Sequence, residues 1–169
     1  MNYYFVFFFC LILFASQAQD TSELEKRNGF KDIKLGSPAD SVKGILFKKN
    51  ITELKEFEAK LYEVNDPAYE KVGDADIRQV KLKVYKGLIY EIILTTRVDP
   101  RIMMGLEKLY GKAKFNLRHE TYSWSVPGKI TLVYKGSPKE VTLTYRSPPV
   151  IKMMYLDKNK KIEAVAEDF

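Results

Sequence analysis

The sequence predicts an α+β domain, an antiparallel β-sheet with two helices packed on one face. Three observations lead there. Apolar and polar residues alternate in Val80-Lys81-Leu82-Lys83-Val84, in Tyr122-Ser123-Trp124-Ser125-Val126, and at Ile130, Leu132 and Tyr134 and at Val141, Leu143 and Tyr145, the period-2 pattern of strands with one buried side. Short turns, Lys86-Gly87 and Pro127-Gly128, join neighbouring runs, and a tight turn joins only antiparallel partners. Two segments open with a capping side chain followed by proline, Ser37-Pro38 and Asp99-Pro100, as helices do.

Taken in order, residues Gln19 to Asn28 are polar and read as a leader. Phe30 to Leu35 alternates as a short strand and stops at Gly36. A first helix is expected from Ser37 to about Asn50, with Asp40 in the capping-box position and Val42, Ile45 and Leu46 on one face. Leu61–Val64 reads as a strand, and 65–76, with its Asp-Pro, Gly73 and four acids, as a long loop. The hairpin of Val80–Val84 and Leu88–Leu94 follows, the second strand apolar at nearly every position, as if covered on both faces. The second helix carries Ile102, Leu106, Leu109 and Tyr110 on one stripe and stops at Gly111. A three-stranded meander comes next, then a last strand or extended arm at Val150–Leu156 and a charged tail, 157–169, for which a helix is one reading. Helix-then-strands occurs twice, which fits either two related halves or the chance recurrence of two capped helices.

The first stretch differs from the rest. No charged side chain occurs before Asp20, and Tyr3–Phe14 is an apolar run that gives way to Ala15-Ser16-Gln17-Ala18. That is the hydrophobic core and small-residue cleavage site of an export signal, with the cut after Ala18 and a mature chain starting at Gln19. The run is shorter than the roughly 20 apolar residues of a spanning helix. Cys10 lies between Phe7-Phe8-Phe9 and Leu11-Ile12-Leu13, without the small residues that precede a lipidated cysteine. The expected organisation is therefore a signal at 1–18, a polar leader at 19–28, one α+β domain at 29–156 and the tail. No membrane anchor is expected after cleavage.

Cys10 is the sole cysteine, so the mature chain would hold no disulfide and no thiolate site. The chain has 28 basic and 22 acidic residues and a net charge of +6. The two signs are interleaved, which describes a solvated basic surface rather than a nucleic-acid-binding face. His119 is the lone histidine, so one chain cannot build a triad or a two-histidine metal site. Its neighbour Glu120 would point to the opposite side of a strand. Asp66, Glu70, Asp74 and Asp76 share a loop but lack calcium-loop spacing. No catalytic residue, metal ligand or cofactor is assigned. Tyr122, Trp124, Tyr134 and Tyr145 fall on adjacent predicted strands and form the candidate binding patch, stacking against sugar, peptide or unpaired base. The same alternation also places them with Val126, Ile130, Leu132, Val141 and Leu143, and that favours a core face with Trp124 buried.

Ile33-Lys34-Leu35-Gly36-Ser37 with Asp40 and Val42, and Leu109-Tyr110-Gly111-Lys112-Ala113, resemble the opening and the helix end of small exported bacterial proteins. These include the outer-membrane assembly lipoproteins of the SmpA/OmlA type and the β-lactamase-inhibitor-like domains. The resemblance implies a helix-on-sheet binding module in the periplasm, with no active site to carry over. Two functions are expected from residues and resemblance together. One is a non-enzymatic periplasmic or secreted module that binds a protein or envelope component through its sheet or an edge strand. The alternative is a hydrolase or small-ligand enzyme whose carboxylates come from separate loops.

Overall fold

The computed structural model describes residues 21–53 and 56–169. The expected signal, Cys10 and the Ala18 cleavage site lie outside the described residues. The chain order is α1 (Ser22–Arg27), β1 (Gly29–Phe30), β2 (Ile33–Lys34), β3 (Ile45–Glu53), β4 (Phe57–Val64), β5 (Lys71–Val72), β6 (Ala75–Tyr85), β7 (Leu88–Arg97), α2 (Pro100–Tyr110), β8 (Lys114–Asn116), β9 (Thr121–Val126), β10 (Ile130–Gly136), β11 (Glu140–Arg146) and α3 (Pro148–Ala166). The main sheet runs β3-β4-β6-β7-β11-β10-β9-β8, with β5 paired to β6. Every neighbouring pair is antiparallel. The predicted class, α+β on an antiparallel sheet, is the one observed. Among the described residues no helix is long and apolar enough to cross a membrane.

The β6–β7 hairpin and the meander form where alternation placed them. Lys86 and Gly87 both have positive φ, 48° and 83°, the two-residue turn that matches strand twist. Asp99 caps α2 by accepting from the Arg101 N–H at 2.8 Å, and Pro100 occupies the first turn.

The first expected helix does not form. Pro38 is extended and bridges to Leu88, Ala39–Ser41 makes one 3-10 turn, and β3 begins at Ile45. The cause is tertiary. Gly36 N donates to Ile89 O at 2.7 Å, Ala39 N to Gly87 O at 2.9 Å, and Ile89 N to Ser37 O at 3.0 Å. The backbone that would have started a helix is thus paired with the β6–β7 hairpin. Gly44 then turns the chain at φ 70°, where an added Cβ would lie 2.4 Å from Asn65 O. Of the anticipated stripe, Val42 is buried, Ile45 half-buried and Leu46 exposed. Without that helix the notion of two related helix-plus-strand halves loses its first member.

Other segments also differ from expectation, and 65–76, expected as loop, contains β5 and the start of β6. Leader residues 22–27 form α1, with acids in its first turn, bases in its last, and Leu24 wholly buried. Val150–Leu156 is helical rather than extended: Ser147 Oγ accepts from Val150 N, and Pro148-Pro149 sit where missing N–H donors are harmless. The tail continues that helix to Ala166.

The helices do not share one face. Leu24 of α1 and Ile102 and Tyr110 of α2 belong to the main core with Leu82, Ile92, Leu94, Leu132, Leu143 and Trp124. Val150 and Met154 of α3 pack with Phe57, Ala59, Tyr85 and Tyr90 on the reverse side. Burial drives the Tyr145 phenol pKa far up, with Tyr110 adding to it, and drives Tyr90 up too, aided by Glu53 and Glu91. A group whose folded pKa exceeds its unfolded value contributes stability that is complete below the unfolded value, about 10 for tyrosine. That stability is lost as pH rises toward the folded value. Denaturant midpoints should therefore hold level to about pH 10 and fall beyond it, each such phenol adding about 1.4 kcal/mol per pH unit. Chemical denaturation from pH 8 to 11.5 checks this; a level profile to pH 11.5 would refute it.

Candidate functional site

Strand alternation gives the sheet two surfaces of opposite character. Leu94, Leu132, Leu143 and Trp124 point into the main core at 2% exposure or less. Their chain neighbours point the other way, where α3 covers only the end marked by Phe57, Tyr85 and Tyr90. The register lines those neighbours up across six strands. One row runs Lys81, Ile93, Thr144, Val133, Ser123, Lys114. The next, toward α3, runs Lys83, Glu91, Arg146, Thr131, Ser125. A third runs Gln79, Thr95, Thr142, Lys135. Ile93, Thr95, Thr142, Thr144, Thr131 and Val133 are all half-buried. The result is a field of short β-branched side chains, with lysines at the ends of its first row.

A charged cluster borders this field. Lys83 Nζ lies 2.7 Å from Glu53 Oε1 and 3.1 Å from Glu91 Oε1, and Arg146 Nε lies 2.6 Å from Glu91 Oε2. Burial works against the Lys83 ammonium, but hydrogen bonds and charge from Glu53 and Glu91 outweigh it and lift its pKa. Tyr90 Oη is buried beside them without a hydrogen bond of ordinary geometry. Two carboxylates do converge here, as an acid–base site requires. Each is neutralised by a cation in contact, and the grooves at Phe57–Tyr85–Ile162 and along α2 are not lined by them.

The four aromatics divide. Trp124 and Tyr145 are core residues, 0% and 3% exposed; Trp124 Nε1 donates to Gly111 O at 2.7 Å, and its ring meets Tyr110 edge-on at 6.2 Å. Tyr122 is exposed and Tyr134 half-buried, and Phe115 of β8, which sequence reasoning missed, joins them. The ring centroids are 4.8 Å apart for Phe115–Tyr122 and 6.1 Å for Tyr122–Tyr134. The structure therefore brings all four to one side of the sheet but leaves only two at the surface.

His119 is exposed in the turn before β9, its backbone N–H donating to Asn116 Oδ1 at 3.2 Å. The loop acids are held apart: Asp66 caps Ala68 N at 2.9 Å, Asp74 meets Arg101 at 2.9 Å, and Asp76 meets Arg97 at 3.7 Å. Among the described residues no group of three His, Cys, Asp or Glu is arranged to hold a metal ion. Compared with known proteins, the chain matches no family model, no curated sequence and no solved structure.

Proposed function

We propose that this chain is an exported, non-enzymatic module that binds another protein or an envelope component through the open face of its sheet. The observation that carries the reading is the in-register field of Ile93, Thr95, Thr142, Thr144 and Val133, half-buried while the alternate residues of the same strands are core. A field of β-branched side chains that offers methyl groups and threonine hydroxyls together, with a charged border, suits the mixed contacts of a recognition surface. Export is part of the proposal and rests on the apolar run and the Ala18 cleavage site. Mass spectrometry of the exported chain should find Gln19 at its start, and a retained Met1 or a lipid on Cys10 would overturn that part.

The binding reading is tested by Val133→Glu combined with Thr144→Arg, both at half-exposed positions. The double variant is expected to keep its thermal midpoint within a few degrees, since surface changes stay near 0.5 kcal/mol each. Its capture of an envelope partner should fall at least tenfold. Undiminished capture by a folded double variant rejects the open face. The hydrolase alternative would have to use Glu53 and Glu91, the two carboxylates that meet at Lys83; turnover that vanishes in Glu53→Gln or Glu91→Gln while the fold persists would establish it.

A further inference from the structure

A groove of about 360 Å³ lies along one flank of α2, on the face of the sheet opposite the open field. Its walls and floor are Phe30, Ile102, Leu106, Leu109, Leu143 and Tyr145. An apolar cavity of about 150 Å³ already accepts a benzene ring, and ligand sites of small molecules begin at about 300 Å³. Gly105 lines the groove from the middle of α2. Glycine there weakens the helix relative to alanine, and packing does not demand it, because a Cβ built on Gly105 would meet no atom within 4 Å. The missing side chain widens the groove instead.

The polar part of the lining is Asp74, Asp99 and Arg101, at the N-terminal end of α2. Arg101 is held by Asp99 Oδ2 at 2.7 Å and by Asp74 Oδ2 at 2.9 Å, two carboxylates against one guanidinium. Asp74 is 82% exposed, so its contact with Arg101 is a weak surface pair that an incoming cation can share. We propose that the groove is a binding site for a small cationic amphiphile. Its alkyl or aryl chain lies against Leu106, Leu109 and Leu143, and its ammonium head rests at Asp74. The site is separate from the open sheet face and does not depend on how that face is used.

The test is calorimetric titration of the mature chain with decylammonium and, in parallel, decanoate, both below micelle formation. The expected result is saturable decylammonium binding at least tenfold tighter than decanoate. Gly105→Met, which projects a side chain into the groove and improves helix propensity, should abolish that binding without lowering the thermal midpoint. Asp74→Asn should shrink the preference for the ammonium while keeping the chain bound. The proposal fails if decylammonium does not bind, if decanoate binds equally well, or if Gly105→Met binds as the wild type does.

Discussion

Trp124→Ala is expected to lower the unfolding free energy by about 3–5 kcal/mol, the range of large-to-small changes at filled core sites. The indole is fully buried in the main core, and its N–H is satisfied by Gly111 O at 2.7 Å. Truncation opens a cavity against Tyr110 and also leaves the carbonyl that ends α2 without its donor. The loss should therefore spread to the docking of α2. Trp124→Phe, which keeps much of the volume but not the donor, should lose less. Equilibrium denaturation of both variants checks this. An alanine variant with the wild-type midpoint would mean that Trp124 is not a packing residue and that the aromatic patch had been misdivided.

Glu91→Ala is expected to cost about 2–4 kcal/mol. Removing one member of a buried pair leaves its partner uncompensated, which outweighs the value of the contact itself. Glu91 is the hub, 7% exposed at its side chain, gripping Lys83 with one oxygen and Arg146 with the other. The figure sits below the full range for buried pairs because Lys83 keeps Glu53 and Arg146 is half exposed. Replacing the three least exposed members together, Glu53→Gln, Lys83→Met and Glu91→Leu, leaves only the half-exposed Arg146 without its partner and should recover most of the loss. Failure of the triple variant to improve on Glu91→Ala would show that the cluster positions the β7 backbone at Tyr90 rather than merely neutralising itself.

Much of the sheet was legible because its signals are local. Val80–Val84 and Tyr122–Val126 alternate whatever packs on them, and Lys86-Gly87 accepts the positive φ values that close a hairpin. Helix α2 was legible for a similar reason, since Asp99, Pro100 and Gly111 mark its ends chemically. The segment 37–50 was misread although it carries comparable helix signals. Its N–H and C=O groups are within reach of the β6–β7 turn, and pairing there with Ile89 and Gly87 removes the reason to coil. The start of α3 was read from Val150 as a strand or extended arm, whereas Pro148-Pro149 form its first turn behind Ser147.

The candidate surface was the least legible part. Alternation states that a strand has two sides, and the sequence by itself therefore determined that Leu143 and Thr144 face apart. It also determined the order of the strands in the meander and the ends of α2. Which side is covered, and how far, is set by where the helices land, and that is a property of the whole molecule. Helix α2 ends at Tyr110 over Trp124, so Trp124 is core while Tyr122, two residues earlier on the same side, stays at the surface with Phe115 and Tyr134. Helix α3 packs over Tyr85 and Tyr90 and leaves Ile93, Thr144 and Val133 open. Only the tertiary structure decided these outcomes, because burial depends on contacts between residues far apart in the chain, whereas period and turn chemistry are written in neighbours.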